Sequence, residues 1–144
     1  MNIFNFKTPL QNFLSAKSVT ETLPSLGLLL LRIAISSMML THGWYKFSNF
    51  AEMSQSFDPI GIGGVLSASL VIFAEMFCSI LLILGLFTRL SVFPLIIAMG
   101  VAIFVAHSGQ SFAAKELPLL YLTFYVVILI IGPGRYSIDR MLWK

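Results

Sequence analysis

The sequence predicts an all-α integral membrane protein, a bundle of four transmembrane helices with both termini in the cytoplasm. Of the 144 residues, 58% are hydrophobic and 10% are charged, whereas soluble domains carry about 25% charged residues. The apolar residues also fall in four segments, three of which reach the roughly 17–25 residues that a spanning helix needs. We therefore predict a single membrane domain over residues 1–144, with little of the chain outside the bilayer.

The predicted helices follow the apolar segments, and they cover about residues 25–47, 61–87, 90–107 and 117–132. The fourth segment is short, but it is apolar without interruption and its Pro118 suits the first turn of a helix. Residues 1–24 precede the first span. Their apolar residues follow helical spacing, which indicates an amphipathic segment on the cytoplasmic leaflet; a flexible tail is the alternative.

The distribution of basic residues predicts how the helices are oriented. Six Lys and Arg lie at the two termini and in the second loop, on one side of the membrane, against two on the other side. The six are Lys7, Lys17, Arg89, Arg135, Arg140 and Lys144, and the two are Lys46 and Lys115. Because basic residues favour the cytoplasmic side, both termini are predicted to be cytoplasmic. Orientation accounts for the net charge of +3 better than nucleic-acid binding does.

The single cysteine excludes one class of membrane enzyme. Cys78 lies in the second predicted helix and has no partner within the chain for a disulfide. Four-helix thiol oxidoreductases that pass electrons to quinone need a pair of reactive cysteines. We therefore interpret Cys78 as a small packing residue.

Two ionisable residues interrupt the first two apolar segments. Arg32 lies in the first helix and Glu75 in the second, and a charge near the centre of a bilayer costs roughly 2.5–3.5 kcal/mol on insertion scales. Arg32 shares a helix face with Ser36 and Gly43, and Glu75 shares one with Ser79, so both faces should point into the bundle. We predict a buried ion pair between Arg32 and Glu75, which either fixes the register of the two helices or tunes a proton-carrying carboxylate.

A second group of titratable residues is predicted near the outer ends of the helices. His42 and Lys46 lie one turn apart in the first helix, His107 closes the third, and Glu116 opens the fourth. Polar groups above an apolar interior can hold a small headgroup, so we predict a ligand or quinone pocket there. The alternative is that these residues cap helix ends and contact lipid headgroups.

Haem and metal sites are weaker interpretations of the same residues. His42 and His107 could ligate a haem iron, but two single histidines at helix ends are not a specific pattern. A metal on His42, His107 and Glu116 has no better support. We predict no bound metal or nucleotide, and we do not favour haem.

With these residues in view, the chain resembles the DoxX family of small bacterial membrane proteins from about Gly27 to Met141. The matching pieces are Leu31-Arg32, the run from His42 to Phe47, Glu75, the run from Gly85 to Arg89, and the run from Gly132 to Asp139. The resemblance implies a four-helix bundle in the bacterial inner membrane and an association with oxidoreductases. It carries over no catalytic residue.

These observations together favour a quinone-linked redox subunit or accessory protein of the inner membrane. Electron transfer would need a bound quinone, a haem or a redox partner protein, because the sequence has no flavin motif or nucleotide loop. One alternative is a non-enzymatic membrane anchor for a soluble oxidoreductase. Another is a small transporter with Glu75 as proton carrier. Small-residue helix faces also allow a homo-oligomer.

Overall fold

The structure, a computed structural model, describes the backbone of residues 16–142 and the side chains of residues 23–142. The described chain is helical, and four of its helices are long and apolar enough to cross a membrane. The predicted all-α membrane fold is thereby confirmed. Which side of the membrane the termini occupy stays a prediction. Most of the predicted N-terminal segment lies outside the described residues, and residues 16–24 belong to the first helix.

Six helices follow one another within residues 16–142. The elements are α1 (Ala16–Ser48), α2 (Phe50–Ser56), α3 (Gly64–Leu84), α4 (Thr88–Ala106), α5 (Phe112–Ile131) and α6 (Ile138–Leu142). The spanning part of α1 is Leu23–Ser48, and α3, α4 and α5 are the other spans. Side chains from all four spans form the core, among them the fully buried Leu82, Val92, Leu95 and Ile128.

The ends of the spans differ from the predicted bounds for local reasons. Helix α3 begins at Gly64 rather than near residue 61, because Gly61 and Gly63 adopt positive φ angles of 74° and 98°. It stops at Leu84 because Gly85 takes the left-handed conformation that ends a helix. Helix α5 begins at Phe112, so Pro118 lies in its second turn.

The bundle has two ends, which we name by the segments they carry. The loop face carries residues 49–63 and 107–111, and the tail face carries residues 85–87 and 132–142. On the tail face, the Asp139 carboxylate accepts hydrogen bonds from the backbone N–H groups of Phe87 and Thr88, at 2.7 and 2.8 Å. These N–H groups begin α4, and Phe87 itself has a positive φ of 48°. A residue near the end of the chain thus caps the third span.

A different carboxylate organises the loop face. Asp58 accepts hydrogen bonds from the backbone N–H groups of Ile62 and Gly63 and from the Ser67 hydroxyl, at 2.8–3.0 Å. The Ser67 hydrogen bond, followed by the backbone hydrogen bond of Gly63, lowers the pKa of this carboxyl below its ordinary value. Asp58 therefore fixes the turn that leads into α3.

Candidate functional site: a buried polar cluster

Arg32 ties the segment after α5, residues 132–142, which we call the tail, to the bundle. Its side chain is 1% exposed, and the guanidinium donates hydrogen bonds to the backbone carbonyls of Pro133 and Tyr136, the second at 2.7 Å. Gly85 packs against it so closely that a Cβ there would lie 2.8 Å from the guanidinium carbon. Arg32 therefore holds the segment after α5 beneath the end of α3.

Glu75 has a different partner, because Lys46 donates to its carboxylate Oε1 in a salt bridge. The side chain of Glu75 is 2% exposed and that of Lys46 is 28% exposed. Gly43 makes this contact possible, since a Cβ there would lie 3.0 Å from the backbone carbonyl carbon of Glu75 and 2.7 Å from Cγ of Met76. Lys46 thus turns inward, although its position near the end of α1 would let it reach the lipid headgroups.

The predicted Arg32–Glu75 ion pair is therefore wrong, although both residues are buried as expected. The packing of the two glycines shows the cause. Gly85, ten residues after Glu75, contacts Arg32, and Gly43, eleven residues after Arg32, contacts Glu75. At 1.5 Å rise per residue the two charges are offset by about 15 Å along the helices, which is beyond the reach of an arginine side chain in this register.

The backbone around Glu75 is unusual. Residues Phe73–Cys78 form a π-helical stretch within α3, and Glu75 lies in it. Such single-turn insertions are rare and frequently occur at functional sites, because they turn a side chain away from the direction that a regular helix would give it. Helical periodicity did not predict this π-helical stretch.

Helix α5 adds two tyrosines that sequence reasoning missed. Tyr121 and Tyr125 are 2% and 0% exposed, and their rings stack with centroids 6.1 Å apart. His42 meets the ring of Tyr121 edge-on, with centroids 5.9 Å apart and planes at 88°. The Glu75 carboxylate lies within electrostatic range of both tyrosines and of His42. His42, Lys46, Glu75, Tyr121 and Tyr125 form what we call the polar cluster.

Three oxygens of the polar cluster are buried without a hydrogen-bond partner among the described residues. They are Oε2 of Glu75 and the hydroxyls of Tyr121 and Tyr125. Buried polar atoms are nearly always paired, since an unpaired one costs about 1–3 kcal/mol. Three such atoms in one place indicate a site built for a polar group.

The other two residues of the predicted pocket, His107 and Glu116, have different surroundings. His107 is half-buried, and its Nδ1 lies 2.7 Å from the backbone carbonyl of Ala102, at the π-helical end of α4. Glu116 is exposed near the start of α5. The structure thus brings His42 and Lys46 to Glu75, and it shows no hydrogen bond or ion pair from His107 or Glu116 to them within residues 23–142. A pocket containing all four predicted residues stays a prediction.

Cys78 lies on the apolar side of α3. It is 3% exposed and belongs to the hydrophobic core. Packing is the role that the sequence suggested for it. Within residues 23–142, no three His, Cys, Asp or Glu side chains are grouped as metal ligands would be.

Four apolar spans around a buried salt bridge define a small multi-pass membrane protein. The DoxX family model matches residues 27–108, and the chain belongs to the DoxX family. This confirms the resemblance seen in the sequence.

Three relatives support the assignment. An uncharacterized protein of Haemophilus influenzae is 34% identical over 122 residues, which cover 79% of this chain and 89% of that protein. The inner membrane protein YqjF of Escherichia coli is 30% identical over 133 residues, which cover 86% of this chain and 98% of its own length. An uncharacterized membrane protein of Mycobacterium tuberculosis is 30% identical over 131 residues, covering 79% of this chain and 80% of that protein. No solved structure matches. The chain is thus a multi-pass inner-membrane protein.

Proposed function

We propose that this protein is a quinone-linked redox subunit or accessory protein, and that the polar cluster receives the quinone headgroup. The observation that carries the proposal is the set of three buried, unpartnered oxygens of Glu75, Tyr121 and Tyr125. A quinone headgroup is a flat apolar ring with two carbonyl oxygens, and tyrosine hydroxyls can donate to such oxygens. An apolar pocket with a few convergent polar groups is the usual form of such a site.

Each residue of the cluster has a chemical task in this proposal. The hydroxyls of Tyr121 and Tyr125 orient the headgroup, and their stacked rings offer it an aromatic wall. Lys46 donates to Oε1 of Glu75, which leaves the unpartnered Oε2 available to accept or return a proton. A bound quinone would supply a carrier for two electrons and two protons, and the electrons would come from a redox partner protein.

The position of His42 supports a lateral entrance from the lipid. His42 is exposed at the surface of α1, yet its ring touches the fully buried Tyr121. The cluster is therefore one side chain away from the surface of the bundle between α1 and α5. A lipid-soluble molecule can approach the cluster there without leaving the bilayer.

Binding of decylubiquinone, a short-chain ubiquinone, to the purified protein in lipid nanodiscs tests the proposal. We expect Tyr121→Phe together with Tyr125→Phe to weaken binding at least tenfold, because the loss of each hydroxyl removes a hydrogen bond of about 1 kcal/mol. Tyr45→Phe is the matched control, since Tyr45 is 71% exposed and lies outside the cluster. Equal affinity of the double variant and the wild type would overturn the proposal.

A proton-coupled transporter is the second candidate, and the burial of Glu75 in the π-helical stretch favours it. Ionisable groups inside membrane spans commonly carry protons or ions. The assay measures the acidification of the interior of liposomes that contain the protein, after the outside is made acidic. Wild type is compared with Glu75→Gln. A proton flux that requires Glu75 in quinone-free liposomes would support transport over the redox proposal. The other alternative, a non-enzymatic membrane anchor for a soluble oxidoreductase, stays a prediction.

A further inference from the structure

A second site lies on the tail face, far from the polar cluster. A cavity of about 730 Å³ opens beside the start of α4 and the end of α5. It is lined by Phe87, Arg89 and Leu90 from one side and by Ile131, Asp139 and Arg140 from the other. Nothing in the proposed redox function uses these residues.

The side chains that line this cavity carry a net positive charge, because two arginines face one aspartate. Arg89 and Arg140 are exposed, and neither guanidinium makes an ion pair with any residue in the range 23–142. The one carboxylate in the lining, Asp139, already accepts two backbone hydrogen bonds at the start of α4. Those N–H groups are therefore occupied, and the two arginines are what the cavity offers to an anion.

The guanidinium of Arg89 lies beside the end of α5. Gly132 adopts a positive φ of 87°, and a Cβ built there would be in ordinary van der Waals contact with Arg89, 3.5 Å from a terminal nitrogen. A guanidinium binds phosphate oxygens in pairs, which an ammonium cannot do.

Three apolar side chains of the lining are exposed on the surface of the bundle, where lipid would contact them. Phe87, Leu90 and Ile131 are 50%, 69% and 61% exposed, and they lie at the ends of spanning helices. The cavity therefore combines two phosphate-binding side chains with apolar residues where acyl chains begin. A soluble anion would use the arginines only, whereas a phospholipid would use both parts.

We propose that this cavity, lined by Arg89, Arg140 and the apolar residues beside them, is a binding site for an anionic phospholipid. The lipid phosphate is held by the two guanidinium groups. The acyl chains run along Phe87, Leu90 and Ile131. The negative headgroup balances the net positive charge of the lining side chains, and bound lipid joins α4 to the tail.

Native mass spectrometry of the full-length protein released from mild detergent tests this proposal. The protein is incubated with phosphatidylglycerol or with phosphatidylcholine, and the fraction that retains lipid is measured. We expect phosphatidylglycerol to be retained at least tenfold more than phosphatidylcholine. Arg89→Gln with Arg140→Gln should abolish the difference. Arg89→Lys, which keeps the charge but loses the paired hydrogen bonds, should reduce it severalfold.

Two controls separate this site from general electrostatic attraction. Lys115→Gln removes one positive charge from the loop face, and it should leave the retention of phosphatidylglycerol unchanged. Inorganic phosphate and glycerol phosphate, added at millimolar concentration, should fail to displace the lipid. Displacement by either anion, or an equal loss of lipid in Lys115→Gln and the double arginine variant, would overturn the proposal.

Discussion

Removing Lys46 should expose how the bundle accommodates its buried carboxylate. In Lys46→Met the methylene groups of the side chain are largely kept, but Glu75 loses its only hydrogen-bonding partner among the described residues. Glu75 is 2% exposed, so water cannot replace the lost ammonium without a rearrangement of the helices. Removing the charge of Glu75 instead should destabilise the protein less. In Glu75→Gln the half-buried Lys46 can turn toward the loop face, because α1 ends two residues later.

The size of the effect follows from proton chemistry. Breaking a buried ion pair from one side costs about 3–5 kcal/mol in folding free energy. Glu75 can limit this cost by taking up a proton as the variant folds. For a carboxyl with an ordinary pKa of about 4.3, that uptake costs about 3.7 kcal/mol at pH 7 and about 1 kcal/mol at pH 5. We therefore expect Lys46→Met to lose about 3–4 kcal/mol at pH 7 and about 1 kcal/mol at pH 5.

The measurement is reversible unfolding in mixed micelles by titration with sodium dodecyl sulfate, followed by circular dichroism at both pH values. The matched control is Lys115→Met, which removes a lysine that makes no ion pair within residues 23–142 and should change stability by less than about 0.5 kcal/mol. The double variant Lys46→Met with Glu75→Leu should regain most of the loss, since apolar pairs often replace buried ion pairs without cost. A loss that is independent of pH, or additive losses in the double variant, would refute this account of the salt bridge.

Three further predictions concern the two faces of the bundle. Gly85→Ala should destabilise the protein by about 2–4 kcal/mol, because alanine disfavours the positive φ of 68° and its Cβ would press on Arg32. The control is Gly27→Ala, which places a Cβ in open space on α1 and should be neutral or stabilising in the same titration. Asp139→Ala should cost about 1–2 kcal/mol by removing the cap of α4, and an unchanged unfolding midpoint would argue against a capping role. The lowered pKa of Asp58 means that its stabilisation is present at neutral pH and is lost as the pH falls through that pKa. The protection factor of the Gly63 amide, which compares its exchange with that of an unstructured amide at the same pH, should therefore fall in acid, and in Asp58→Asn it should be low at neutral pH too.

The fold could be predicted because its strongest signal is local. Uninterrupted apolar stretches identify spanning helices without any knowledge of their neighbours. The inward faces of Arg32 and Glu75 also followed from helical periodicity and the cost of exposing charge to lipid. Both residues are buried as these arguments required.

The partners of these charges could not be predicted in the same way, because pairing depends on the relative depth of two helices. The predicted first span begins near residue 25, which puts Arg32 about 10 Å inside the bilayer. In the structure α1 already begins at Ala16, and Arg32 packs against Gly85, just past the end of α3. Arg32 therefore lies at the tail face, and the close contact of Gly43 with Glu75 brings Lys46 to the carboxylate instead. The spacing of small residues is visible in a sequence, but the register that it produces is not.

The tyrosines of α5 were missed for another reason. A hydropathy profile includes Tyr121 and Tyr125 in an apolar span. Only their spacing of four residues shows that both hydroxyls lie on one face of the helix. A search of each span for polar atoms at helical spacing, in addition to charges, would have found them. His107 and Glu116 were predicted from a shared depth alone, and within residues 23–142 no hydrogen bond or ion pair joins either of them to the polar cluster.

The contact between Arg32 and the tail has a consequence for biosynthesis. Arg32 and its acceptor Pro133 are 101 positions apart in the chain, so at roughly 5–20 residues per second about 5–20 s separate their synthesis. During that interval α1 can be in the membrane while its arginine lacks both carbonyls, and a charge without partners is kept near water or headgroups. We expect α1 to sit closer to the membrane surface in a chain arrested at Ile131 than in the finished protein, a displacement that distance mapping from a reporter ahead of α1 would measure. Residues that are synthesised after α5 would then set the final depth of α1 in the bilayer.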